Sequence, residues 1–164
     1  MTPRILSTRK LSPSQRSLLP GAGLSLVERD FIKINPLPFT DLELPENIIF
    51  TSQNAVKIVE QAGILESLMG RSIYCVGERT AALLSSKGLK IKQQTDYGAD
   101  LAQIIAKEYQ DGAFLFFCGK MRREDIPRTL HQNHIPLTEV EVYDTQLKPF
   151  KIELDFEGVL FFSP

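Results

Sequence analysis

Ile48-Ile49-Phe50-Thr51-Ser52-Gln53-Asn54-Ala55-Val56 changes its hydrophobic period partway along, and that change decides the fold. Ile48 to Thr51 is a short, apolar, β-branched run of strand type. From Ala55 onward the apolar residues recur at Ile58, Val59 and Ala62, one face of a helix, and Gly63 stops the pattern. A strand that passes into a helix through Ser52-Gln53 is the first half of a βαβ unit.

The same alternation continues downstream. Residues 72–76 predict a strand, 80–87 a helix ended by Gly88, and 89–92 a further strand. Residues 100–109 predict a helix with Leu101, Ile104 and Ile105 on one face. Residues 113–118 are almost wholly apolar, as in a strand buried on both faces of a parallel sheet. A helix through Arg128 and Leu130 and a strand over 137–146 follow. Upstream, residues 4–7 read as a strand, and Ser12-Pro13-Ser14-Gln15 begins a helix with a capping serine and an early proline. Residues 24–34 predict one longer strand, broken by Asn35-Pro36-Leu37-Pro38. Strands alternating with helices predict an α/β architecture with parallel sheets. The chain stops four residues after Leu160, where a strand has just begun, so a partial first domain is expected.

Composition bounds the function. The 164 residues suffice for one domain, or for one domain and part of another. Hydrophobic residues make up 43% and charged residues 24%, the balance of a soluble globular protein. A net charge of −1 leaves no basic excess to neutralise phosphates, which excludes a general nucleic-acid binder. No apolar run approaches the ~20 residues that span a bilayer. Arg4, Arg9 and Lys10 interrupt the only apolar stretch near the N-terminus, so no signal-peptide core is read there. Cys75 and Cys118 lie in apolar runs and are expected to be buried free thiols in a reducing cytoplasm.

Three strand-to-helix turns carry small or hydroxyl residues: Thr51-Ser52-Gln53, Val76-Gly77-Glu78-Arg79-Thr80 and Cys118-Gly119-Lys120. Each reads either as a helix cap with a tight turn or as an anion site on free helix amides. No glycine-rich phosphate loop is present. His131 and His134 are three apart on a predicted helix, but no third ligand follows, so a solvated surface and no metal are expected. The two cysteines have no neighbouring base to activate them. The mixed charges of Lys120 to Asp125 read as a solvated helix start.

Five short motifs then occur in one order. Thr8-Arg9 ends the first strand, Thr51 to Val56 has the form Thr-Ser-x-Asn-Ala-Val, and Val76 to Ala81 has the form Val-Gly-x-x-Thr-Ala. Val142-Tyr143-Asp144-Thr145 and Phe161-Phe162-Ser163-Pro164 complete the series. In this combination the chain resembles the uroporphyrinogen-III synthases. It departs from them at Cys118-Gly119, where the family has Arg-Gly, and it is shorter, since the family is roughly half as long again.

The resemblance implies two doubly wound, parallel-sheet α/β domains joined by a two-stranded connector. The first would be discontinuous and incomplete, 1–35 plus 149–164. The second would be complete over 38–141, with connectors near 32–38 and 142–149. It implies a lyase of the hydro-lyase type, working without a cofactor. Hydroxymethylbilane, a linear tetrapyrrole, would be cyclised with loss of water and inversion of its last pyrrole ring. Expected substrate contacts are Thr8, Arg9, Thr51, Ser52, Gln53, Gly77, Thr80, Gly119 and Ser163. Tyr143 is either the proton donor to the leaving hydroxyl or a tyrosine packed at the connector. A cytoplasmic protein is implied, monomeric at full length, with the shortened chain able to pair with a second copy. The rival reading is a non-catalytic α/β domain that binds an anionic small ligand, with a flavin module as a weaker third.

Overall fold

A computed structural model describes residues 2–19, 23–109 and 111–162. The chain divides into two compact units, Met1–Lys33 with Thr145–Pro164, and Ile34–Asp144.

In the first unit, strand β1 (Arg4–Ser7) lies between β2 (Ser25–Glu28) and β9 (Gly158–Leu160), parallel to both. After β1 comes a short helix, α1 (Pro13–Arg16), with the capping Ser12 and early Pro13 that the sequence predicts; Gln15 returns a bond to the Ser12 amide and completes a capping box. Leu6, Ser7 and Leu11 are buried, whereas Phe161 beyond β9 is 81% exposed.

The second unit is built on a six-stranded sheet in the order β3-β8-β7-β4-β5-β6. Its strands are β3 (Ile32–Pro36), β4 (Asn47–Phe50), β5 (Ser72–Val76), β6 (Ile91–Thr95), β7 (Phe114–Gly119) and β8 (Leu137–Leu147). The five strands from β4 onward pair in parallel. Every residue of β4 and β7 is buried, which accounts for the apolar runs at residues 48–50 and 114–118.

Helices α2 (Gln53–Gln61) and α3 (Glu78–Ser86) cover one face. Val56, Val59 and Leu84 pack there with Ile48, Phe50, Phe117 and Val142. Helices α4 (Gly98–Glu108) and α5 (Asp125–Gln132) cover the other, where Leu101, Ile105 and Leu130 pack on Ile49, Phe114 and Phe116. The chain therefore winds from β4 outward through β5 and β6 on one side, then returns to β7 beside β4 and winds the other way. That reversal makes the carboxyl ends of β4 and β7 a topological switch point.

Several local expectations are corrected. Residues 24–34 form two strands, because the chain leaves the β1 edge after Glu28 and β3 joins a different sheet. Strand β3 continues to Pro36, which an edge strand allows because one row of its amides has no partner to lose. Strand β6 starts two residues later than predicted, since the Leu89 amide donates to the Leu84 carbonyl and Leu89 buries under the end of α3. His134 lies past the end of α5 with φ +57°, so it shares no helical face with His131. Residues 120–124 are not helical, and Arg122 is ion-paired with Glu139 and Glu141 of β8 instead of solvated. Among the described residues, no helix is long and apolar enough to cross a membrane.

Candidate functional site

The switch point gathers most of the residues singled out in the sequence of this unit. Thr51 and Ser52 follow β4 directly, and Ser52 caps α2 by accepting from the Ala55 amide at 3.1 Å. The extended backbone of Ser52 leaves the free amides at the start of α2 facing the carboxyl end of the sheet, with Gln53 in the first turn. Beside it, Gly77 follows β5 with φ +87° and takes the N-cap position of α3. A residue with a Cβ is disfavoured in that conformation, which explains the glycine. Thr80 is buried in the next turn, its amide donating to the Gly77 carbonyl.

Gly119 ends β7, and its neighbour Lys120 donates its amide to the Tyr143 carbonyl at 2.8 Å. Tyr143 sits on β8, beyond β7 from the α2 turn, and its hydroxyl lies 3.1 Å from Ser52 Oγ. The ring therefore crosses over the end of β7. A Cβ on Gly119 would stand 2.6 Å from a ring carbon, so ring packing itself requires the glycine. Composition alone could not separate that reason from a ligand's approach.

Cys75 and Cys118 are buried, and burial pushes their thiols up to about 11 and about 12. They stay protonated near neutrality and do not supply a nucleophile. Burial likewise pushes the Tyr74 phenol, which donates to the Asn47 side chain, up to about 12. No group of three or more metal-ligating side chains occurs among the described residues. A cavity of about 420 Å³ beside α5 is lined by Pro127, His131, Leu137 and Glu139, among others, and by none of the predicted site residues.

In the first unit, Thr8 and Arg9 follow β1 as the sequence predicts. The Thr8 hydroxyl and amide both donate to the Leu160 carbonyl at 3.0 Å. The Arg9 guanidinium lies 4.2 Å over the Phe162 ring, and its Nε is a buried donor with no partner among the described residues. Ser163 lies outside the described residues.

Three comparisons with known proteins bear on this geometry. The family model described as uroporphyrinogen-III synthase HemD matches residues 16–164. The uroporphyrinogen-III synthase of Saccharomyces cerevisiae is 31% identical over 116 residues, covering 60% of this chain and 42% of that protein. Crystal structures of uroporphyrinogen-III synthetase from Helicobacter pylori and of a uroporphyrinogen III synthase from Thermus thermophilus share the fold, with TM-scores of 0.61 and 0.62. The first is 18% identical, over 92% of this chain and 65% of that one. The second is 11% identical, over 88% and 63%. The chain thus spans less than two thirds of the length of each of these relatives.

Proposed function

Because this chain belongs to the uroporphyrinogen-III synthase family, we propose that the protein it represents cyclises hydroxymethylbilane to uroporphyrinogen III, as a dehydrating lyase. The observation that carries this reading is the Tyr143 hydroxyl, held 3.1 Å from Ser52 at the switch point of the sheet. Parallel α/β sheets bind ligands at that place.

In this reading the phenol of Tyr143 gives its proton to the terminal hydroxyl of the bilane. The carbon–oxygen bond breaks, water leaves, and the pyrrole nitrogen's electrons stabilise the resulting azafulvene. The electrophile closes on the last ring through a spiro intermediate, which inverts that ring. The proton released on rearomatisation returns to the phenolate, so the products are uroporphyrinogen III and one water. Little else is asked of the protein beyond holding the bilane in one folded conformation.

The carboxylates of the substrate are matched by anion-binding groups. In the second unit these are the amides at the starts of α2 and α3, around Thr51, Ser52, Gln53, Gly77 and Thr80. Such carboxylate sites need no cofactor. The test is consumption of enzymatically made hydroxymethylbilane by the full-length protein. Consumption well above the rate of closure in buffer supports a synthase; binding without consumption favours the non-catalytic anion-binding domain.

A further inference from the structure

The position of Tyr143 conflicts with the pattern of its own strand. Val140 and Val142 pack in the core beneath α2 and α3, and Leu137 packs on the opposite core. Strict alternation would therefore send Tyr143 to the side of Leu137, Glu139 and Glu141. Instead Tyr143 is 8% exposed and joins Val140 and Val142. The register explains the exception. Cys118 faces Glu141, but the next pair is Gly119 with Tyr143, so Val142 is an extra residue in β8. One extra residue turns the following side chain to the other face.

Once turned, the ring lies over the end of β7, where only a glycine leaves room. A Cβ on Gly119 would come within 2.9 Å of the hydroxyl oxygen as well as against the ring. The ring's reach ends at Ser52, whose oxygen already accepts the Ala55 amide. That oxygen keeps its proton and a second lone pair, so either hydroxyl can donate in the contact, and only donation from Ser52 leaves the phenolic proton free for a ligand.

We propose that Ser52 is a positioning residue for Tyr143. Its hydroxyl donates to the phenolic oxygen, which leaves the phenolic proton directed out of the contact and toward the substrate. When that proton moves to the leaving hydroxyl, the electron pair stays on the phenolic oxygen. Ser52 and the positive end of α2 stabilise the phenolate so formed. This role rests on the reading of Tyr143 as the acid, and the bulge with Gly119 is the device that brings the two hydroxyls together.

The test uses the full-length protein and the variants Ser52→Ala, Ser52→Thr and Tyr143→Phe. Ser52→Ala should lower kcat about 10-fold at unchanged KM, and Ser52→Thr should restore it. In the Tyr143→Phe background, Ser52→Ala should change kcat less than about 2-fold, because its route of action is gone. Equal losses in both backgrounds, or a rise in KM alone, would overturn the proposal in favour of a cap or a direct substrate contact. A readout free of activity is the ring signal of Tyr143 in protein carrying ¹³C-labelled tyrosine, with no substrate present. That signal should move in Ser52→Ala and return in Ser52→Thr; an unmoved signal overturns the contact even in an active enzyme. A moved signal in a protein that never consumes hydroxymethylbilane would overturn the acid role of Tyr143, and this one with it. If loss of the cap unfolds Ser52→Ala, Ser52→Gly removes the same hydroxyl with a residue that helix N-caps tolerate.

Discussion

Gly119 and Tyr143 are packed so closely that a Cβ on the glycine would lie 2.6 Å from the tyrosine ring. No rotamer change in a methyl group can relieve that overlap, so either the ring or the end of β7 must move. Gly119→Ala should therefore destabilise the protein by about 1–3 kcal/mol, the usual cost of overpacking a core. It should also lower turnover, because the displaced ring loses Ser52. Urea denaturation and steady-state kinetics check the two effects; an unchanged midpoint and unchanged kcat would show that the ring has another place to go.

Tyr143→Phe keeps the ring and removes only the hydroxyl. If that hydroxyl is the proton donor, kcat should fall by ~10²-fold or more with KM little altered. A loss of only a few-fold would mean that conformational control of the bilane supplies most of the rate.

Gly77 tests a different requirement. A Cβ there would have, among the described residues, the Thr80 hydroxyl as its one neighbour within 4 Å, at 3.9 Å, so room for the Cβ is not the constraint. The constraint is φ +87°, which a β-branched residue strongly disfavours. Gly77→Val should cost on the order of 1–3 kcal/mol in stability and also weaken substrate binding, through the displaced amides of α3. A folded variant with unaltered affinity would remove this turn from the site.

The parts legible in the sequence were those governed by neighbours along the chain. The α/β alternation, the apolar runs of β4 and β7 and the capping serine at Ser12 all follow from local period and local hydrogen bonding. The split of residues 24–34 was not legible, because both pieces are strand-like and only their pairing in different sheets separates them. The bulge opposite Gly119 was hidden for the same reason: register is a property of two strands. Tyr143 was singled out through family resemblance, but its contact with Ser52, 91 residues away, required the fold. Arg122 read as one more charge in a solvated run, and only the placement of β8 gave it Glu139 and Glu141.

The buried thiols set a pH dependence. Burial pushes Cys75 and Cys118 from the ordinary 9.0 up to about 11 and about 12. Between those values the unfolded chain releases protons that the folded chain retains, so these groups favour folding fully below about pH 9 and progressively less above it. The Tyr74 phenol, raised from 10.0 to about 12, acts in the same direction. The urea midpoint should thus fall as pH rises from 9 to 11, and the thiols should resist a thiol reagent at pH 8 until the protein unfolds. Rapid labelling of both cysteines in the folded protein would contradict their burial.

The central claim is that the family's ring-inverting cyclisation belongs to this protein, and the isomer of its product tests that most directly. Hydroxymethylbilane made enzymatically would be given to the full-length protein, the product oxidised to uroporphyrin, and its type I and type III isomers separated. Spontaneous closure yields the uninverted type I isomer. The account predicts mainly type III, formed faster than type I appears in buffer, with the balance shifting toward type I in Tyr143→Phe. A product of type I alone, at the uncatalysed rate and unaffected by Tyr143→Phe, would contradict it.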